Sequence, residues 1–186
     1  MIVLETRRLI LREFEAEDLE PLHRIFSDPE TMKYYPAPFP VQKTRDWIRR
    51  NQERYRYDGY GLWAVCLKET GELIGDCGLV KQIIDGGTEV EIGYHINKKH
   101  WSKGFATEAA QACKDYAFER LGISKLICII DPGNAPSIRV AEKIGFTKER
   151  EAFIFGKNHA IYAGTKESGA GMERTASGDW EEWDRG

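Results

Sequence analysis

Ser102-Lys103-Gly104-Phe105-Ala106 lies between a short β-branched and aromatic run, Val90 to Ile96, and apolar residues that recur at helical spacing from Ala106 onward. That arrangement predicts a strand-to-helix turn. The first N–H groups of a helix have no intrahelical acceptor and sit at the positive end of its dipole, so a phosphate placed there satisfies both. Gly104 removes the Cβ that would block close backbone approach, and Lys103 adds a mobile point charge. The plainer alternative for such a glycine is turn chemistry alone. On the preceding strand, alternation puts Glu89, Glu91, Gly93 and His95 on one face and Val90, Ile92, Tyr94 and Ile96 on the other. The first face can look into a polar cleft, where a carboxylate can take a proton, or simply face water.

The elements that must position these groups continue downstream. Leu126 to Ile130 (LICII) reads as a strand; DPGN follows, then APSIRVAEKIGF, an amphipathic helix ending at Gly145 with Phe146 beyond. Together the two stretches resemble the GNAT superfamily of N-acetyltransferases: the first matches its acetyl-CoA pyrophosphate loop, the second its Asn-x-x-(Ser/Ala)…Gly-Phe helix at Asn134, Ser137, Gly145 and Phe146. The opening LETRRLILREFEAEDLEPLHRIFSDPETMKYY, the EIGYHI strand, WSKGFATEA and NAPSIRVAEKIGF resemble the branch that includes the ribosomal-protein-alanine acetyltransferases, in order from about Leu4 to Tyr162.

The resemblance implies an α+β fold: a central, mostly antiparallel sheet of six to seven strands, a splayed parallel pair (strands 4 and 5), and about four flanking helices. The splayed pair would admit the pantetheine arm, with backbone groups of Tyr94, His95 and Ile96 offered to it. Ser102, Lys103, Gly104, Phe105, Ala106 and Thr107 would hold the pyrophosphate, Trp101 would stiffen the loop, and Asn134 and Lys143 would complete the acetyl-CoA contacts. The acceptor cleft would be lined by Tyr34, Tyr35, Phe39 and Trp63. No metal is implied.

Acetyl transfer from a thioester needs a neutral amine and a leaving thiolate. An α-amine with pKa near 7.7 to 8.0 is roughly a tenth or more neutral at pH 7, a lysine near 10.4 only about one part in a few thousand. Glu91 is the chosen base and Glu89 the second candidate; loss of the base is expected to matter most near pH 6 to 7. Ser137, with Asn134 beside it, is the donor to the departing sulfur, and its simpler role is to cap its own helix. Many family members carry a tyrosine acid further along this helix, where this chain has Ala141. Retention of Glu91, Asn134 and Ser137 favours the enzyme over a catalytically idle acyl-CoA-binding regulatory module, or over an unrelated phosphate-binding domain. The acceptor is a small-molecule amine or a protein N-terminal amine.

At 186 residues the chain suits one domain, with residues 1–166 the catalytic unit and 167–186 a flexible, Gly-, Ser- and acid-rich tail holding Trp180 and Trp183. All of the net charge of −3 lies beyond residue 163, so the domain itself is balanced and gives no pull toward nucleic acid. No apolar run is long enough to span a membrane, and Arg7 and Arg8 interrupt any signal-like stretch. Cys66, Cys77, Cys113 and Cys128 lack metal spacing and read as reduced thiols of a soluble cytoplasmic protein, monomeric or homodimeric. His23, His95, His100 and His159 read as structural or surface residues.

In order, the pattern predicts a strand at Arg8 to Arg12 and a helix from Glu17 to Phe26. A Pro- and Tyr-rich connection follows, then a helix from about Gln42 to Tyr57 and the hairpin LWAVCLK/LIGDCGLV. A reversal at Asp85-Gly86-Gly87 leads into the Val90 strand. A closing hairpin comes last, Thr147 to Phe155 and His159 to Lys166, joined by Gly156-Lys157-Asn158.

Overall fold

The computed structural model describes residues 1–169; the expected tail beyond Gly169, with Trp180 and Trp183, lies outside the described residues. Twelve elements build the fold: β1 (Ile2–Glu5), β2 (Leu9–Arg12), α1 (Leu19–Phe26), α2 (Val41–Tyr57), β3 (Leu62–Leu67), β4 (Leu73–Ile84), β5 (Gly87–Ile96), α3 (Phe105–Glu119), β6 (Lys125–Ile130), α4 (Ala135–Lys143), β7 (Thr147–Ile154) and β8 (Lys157–Thr165). The strands form one eight-stranded sheet in the order β1-β2-β3-β4-β5-β6-β8-β7. This is one strand beyond the expected range, because Ile2–Glu5 pairs with β2. The two late hairpin turns are also tighter than expected, at Asp85-Gly86 and Phe155-Gly156, each with both residues at positive φ.

Every pairing is antiparallel except β5 with β6. That pair meets at a single register position, Glu91 against Ile127. The expected splayed pair is therefore present, numbered β5 and β6 because of the added first strand.

Apolar alternation divides the core. Trp63, Val65, Cys77, Leu79, Ile92 and Ile96 pack with Ala109, Ala110, Cys113 and Ala117 of α3 and with Ala141 and Ile144 of α4. On the opposite face Ala64, Cys66 and Leu73 pack with Leu22, Ile25 and Phe26 of α1 and Ile48 of α2. The register between β3 and β4 slips between Val65 and Cys66. This bulge reverses the facing of β4 past Gly75, so that Asp76 points to the α1–α2 side. Only glycine fits at the slip, since a Cβ on Gly75 would lie 1.9 Å from the His95 carbonyl oxygen. Among the described residues, no helix is long and apolar enough to cross a membrane, and no group of three or more His, Cys, Asp or Glu could hold a metal.

Candidate active site

The turn before α3 is built from two left-handed residues, Ser102 (φ 61°) and Gly104 (φ 79°). Glu108 N–H makes the first intrahelical bond, to Gly104 C=O at 3.0 Å. The N–H groups of Phe105, Ala106 and Thr107 therefore have no acceptor within the helix. Lys103 is exposed beside them, and Arg8 lies 4.2 Å over the Phe105 ring. The Phe105 side chain is itself buried, so at this position the turn has only backbone to offer. Glu108 fixes the turn to the β1–β2 link by accepting Thr6 Oγ1 (2.6 Å), Arg8 N (2.8 Å) and Arg8 Nε (2.7 Å). A glycine-started helix with free N–H groups and two cations suits a diphosphate, and the acetyl-CoA expected from the sequence fits this cradle.

Upstream, Trp101 donates its indole N–H to Ile96 C=O at 2.7 Å, which ties the loop to the end of β5. Asn97 N–H bonds Ile74 C=O across to β4. By the alternation of an antiparallel ladder, the groups of Tyr94 and Ile96 turn toward the split and those of His95 toward β4. The expectation that all three offer backbone to a ligand is corrected: His95 faces away, and Ile96 C=O already accepts Trp101.

Across the split, Tyr94 donates its hydroxyl to Ser137 C=O at 2.9 Å. Asn134 is the N-cap of α4, its side-chain oxygen accepting Ser137 N–H at 3.2 Å. Capping thus falls to Asn134, leaving it to place Ser137, whose own hydroxyl makes no hydrogen bond among the described residues. Ala141 is fully buried against α3, with no space for the tyrosine expected of many relatives of this fold. Lys143 is exposed in the last turn of α4, at the opposite end of the helix from Asn134 and Ser137.

On the other face of the sheet, Glu91 accepts Gln82 Nε2 at 2.8 Å. Burial pushes its pKa up to about 7, against the opposing pull of the Gln82 bond and the charges of His95 and Arg54. Glu89 is instead held by Lys125 at 3.4 Å, and Lys125 in turn by Glu149. Four residues on from Glu91, His95 lies between three aromatic rings, those of Phe26 (5.4 Å), Tyr35 (5.1 Å) and Trp47 (5.7 Å). Its Nδ1 meets Asp76 Oδ1 at 2.6 Å, and its Nε2 meets the Tyr35 hydroxyl. The other oxygen of Asp76 accepts Trp47 Nε1–H at 2.9 Å.

Asp76 and the buried role of His95 were missed from sequence. The available signal was an acidic residue inside the apolar run LIGDCGLV, where an unpaired charge is costly. Of the expected acceptor contacts, Tyr34 and Tyr35 stand at the cleft, and Tyr34 donates to Gly133 C=O at 3.1 Å. Phe39 and Trp63 do not. Phe39 is 3% exposed and stacks edge-on with Phe26 and Trp47, and Trp63 is 1% exposed against Tyr116 in the α3-side core. Trp63 lies on a strand covered on both faces, and Phe39 turns its ring inward from an otherwise exposed link, which aromatic character alone does not reveal.

A split parallel pair, a helix start with unpaired N–H groups on one side of it and a half-buried carboxylate on the other are the features the structure brings together. Residues 8–147 match the family described as Acetyltransferase (GNAT) domain, and the chain belongs to it: it is an acetyl-CoA-dependent N-acetyltransferase. The chain is 42% identical over 160 residues to the uncharacterized protein YkkB of Bacillus subtilis, covering 86% of this chain and 93% of that one. It is 38% identical over 151 residues to the uncharacterized N-acetyltransferase p20 of Bacillus licheniformis, covering 80% and 84%. A GNAT-family acetyltransferase structure from Bacillus anthracis superimposes with a TM-score of 0.76 at 32% identity, over 90% of this chain and 99% of that one.

Proposed function

We propose that the protein acetylates an α-amine, that of a protein N-terminus or of a small molecule, by direct attack within a ternary complex in the cytoplasm. Glu91 is the base and Ser137 the donor to the departing sulfur. The motifs around Glu91, Gly104 and Asn134 resemble the branch that includes the ribosomal-protein-alanine acetyltransferases. The acetyl-CoA diphosphate would rest on the N–H groups of Phe105 to Thr107 with Lys103, and the pantetheine arm between β5 and β6 beside Tyr94. When bound, acetyl-CoA supplies the thioester carbonyl that the amine attacks.

The observation that carries this reading is the place of Glu91, at the single register position joining β5 to β6 and bonded to Gln82, where burial pushes its pKa up to about 7. A base of that strength takes a proton from an α-ammonium at a deficit of about one unit, roughly 1.4 kcal/mol. Against a lysine or polyamine ammonium the deficit exceeds three units, about 4–5 kcal/mol. The carboxylate is thus matched to the weaker base. It also shifts the expected pH behaviour: at pH 6 only about a tenth of Glu91 is ionised, so its contribution peaks near pH 7 to 8 rather than at pH 6 to 7.

The test is coenzyme release with three acceptors: peptides with free N-terminal Ala or Ser, the same peptides N-terminally blocked but bearing a free lysine, and spermidine. Turnover is expected on the free N-termini and at least tenfold less on the others at pH 7.5. Preference for the lysine or polyamine would reject the assignment.

A further inference from the structure

Attack by an ammonium acceptor requires nitrogen to shed two protons. It arrives as R–NH3+ and leaves as an amide R–NH–C(O), while the thiolate takes back only one proton. Glu91 accounts for one transfer at a time, and a second group at the same cleft would serve the other. The constellation on the α1–α2 face beside Glu91 has that form.

We propose that Tyr35, His95 and Asp76 form a second proton path: the acceptor nitrogen gives a proton to the Tyr35 oxygen as the Tyr35 hydroxyl proton passes to His95 Nε2. The resulting imidazolium keeps its Nδ1–H on Asp76, and the Tyr35 hydroxyl is restored in the process. This rests on the acetyl-transfer reading above.

Three observations support it. Asp76 is fully buried at 0% exposure, with one oxygen bonded to Trp47 Nε1–H and the other to His95 Nδ1 at 2.6 Å. A buried carboxylate acceptor fixes the proton on Nδ1 and leaves Nε2 as the acceptor for the Tyr35 hydroxyl, the division of labour that orients a catalytic imidazole. The His95 side chain is 9% exposed and Asp76 is closed off, whereas Tyr35 is 37% exposed, so the path leads from the outermost of the three groups inward to a charge that stabilises an imidazolium. Finally, strand alternation puts Glu91, Gly93 and His95 on one face of β5, so Glu91 and the Tyr35–His95 contact lie on the same side of the sheet. The groups facing His95 are Asp76 from β4, Glu91 from its own strand and Tyr35 from the α1–α2 connection; Phe26 of α1 and Trp47 of α2 bring no charge. The β4 bulge at Gly75 is what turns Asp76 to this side.

The test uses Tyr35→Phe, Asp76→Asn and their combination, with a peptide bearing free N-terminal Ala as acceptor and Glu91→Gln run in parallel. Each single change should lower kcat at least tenfold with the acceptor KM within threefold. The double variant should be no worse than the poorer single, because the residues act as a unit. Acetyl-CoA affinity by calorimetry should stay within threefold for Tyr35→Phe. Independently of turnover, nitrogen-15 spectra of the unliganded protein, assigned with His95→Asn, should show His95 protonated on Nδ1 and bare on Nε2 at pH 7.5. A proton on Nε2, additive losses, a loss confined to KM, or full activity of Tyr35→Phe would each overturn the path. In the last three cases an intact Glu91→Gln loss leaves the parent reading standing. Absent turnover by the wild-type protein, or an unimpaired Glu91→Gln, would instead reject that parent reading, and the spectra would still decide the tautomer.

Discussion

The two sides of the β5–β6 split are made from different materials. On the α3 side, the proposed ligand surface is backbone: N–H groups at a helix start, a left-handed glycine and the freed edge of β5. On the α1–α2 side the proposed proton-handling groups are side chains, Glu91, His95, Asp76 and Tyr35, held by long-range contacts such as Trp47 to Asp76, 29 residues apart. A backbone site can be kept with few fixed residue types, because glycine and a helix start suffice. A side-chain site depends on which strands and loops the fold brings together.

That contrast predicts the largest effect on the backbone side. Gly104→Val forces a β-branched residue to φ 79° and places its Cβ 3.4 Å from Arg8 Nη2. Acetyl-CoA affinity should fall at least tenfold by calorimetry, with the circular dichroism spectrum retained; unchanged affinity would show that the turn does not hold the diphosphate.

Next is Ser137→Ala, which removes the hydroxyl proposed as donor to the departing sulfur while leaving the Asn134 cap on Ser137 N–H in place. A hydrogen bond to a charged group is worth about 1.5–3 kcal/mol, so kcat should drop roughly ten- to hundredfold. The loss should be the same from pH 6 to 9, and a loss that vanishes at high pH would move the role to the amine side.

The same contrast explains what was legible in the sequence. The turn at Ser102–Thr107 and the start of α4 depend on neighbours within a few residues, so local signals locate them, although the cap expected of Ser137 falls to Asn134. The face of Glu91 follows from strand alternation alone, and the structure keeps Glu89, Glu91 and His95 where that alternation puts them. The Asp76–His95 pair needs a bulge between β3 and β4, and strand patterns do not encode a register slip. Burial of Trp63 and Phe39 is equally non-local: an aromatic residue in a strand or a proline-rich link reads alike whether a helix covers it or a cleft opens beside it. The eighth strand was missed because Ile2–Glu5 is only 4 residues long and has the exposure of a sheet edge.

A paired comparison sharpens that point with smaller effects. Trp63→Phe should lower stability by about 1–3 kcal/mol in chemical denaturation while leaving the acceptor KM unchanged, since its ring packs on Tyr116. Tyr34→Phe should do the reverse, raising the acceptor KM about two- to fivefold through loss of its bond to Gly133, worth about 1 kcal/mol, at nearly constant melting temperature. Exchange of the two outcomes would return Trp63 to the acceptor cleft.

Glu91 joins stability and catalysis in one group. Its folded pKa of about 7 lies above the ordinary 4.5, so the folded protein holds this proton more tightly than the unfolded chain. Stability should therefore decline as pH rises from about 4.5 to 7 and stay lowered above, by on the order of 1–3 kcal/mol, and Glu91→Gln should abolish that part of the decline. The most direct test of the central claim is the ratio of wild-type to Glu91→Gln turnover, measured by coenzyme release from pH 6 to 9 with a free N-terminal Ala peptide. We expect a ratio that rises from pH 6, peaks between about pH 7 and 8 as Glu91 ionises while the amine is still largely protonated, and falls again toward pH 9. A ratio constant across the range, or equal to one throughout, would contradict the assignment of Glu91 as the base.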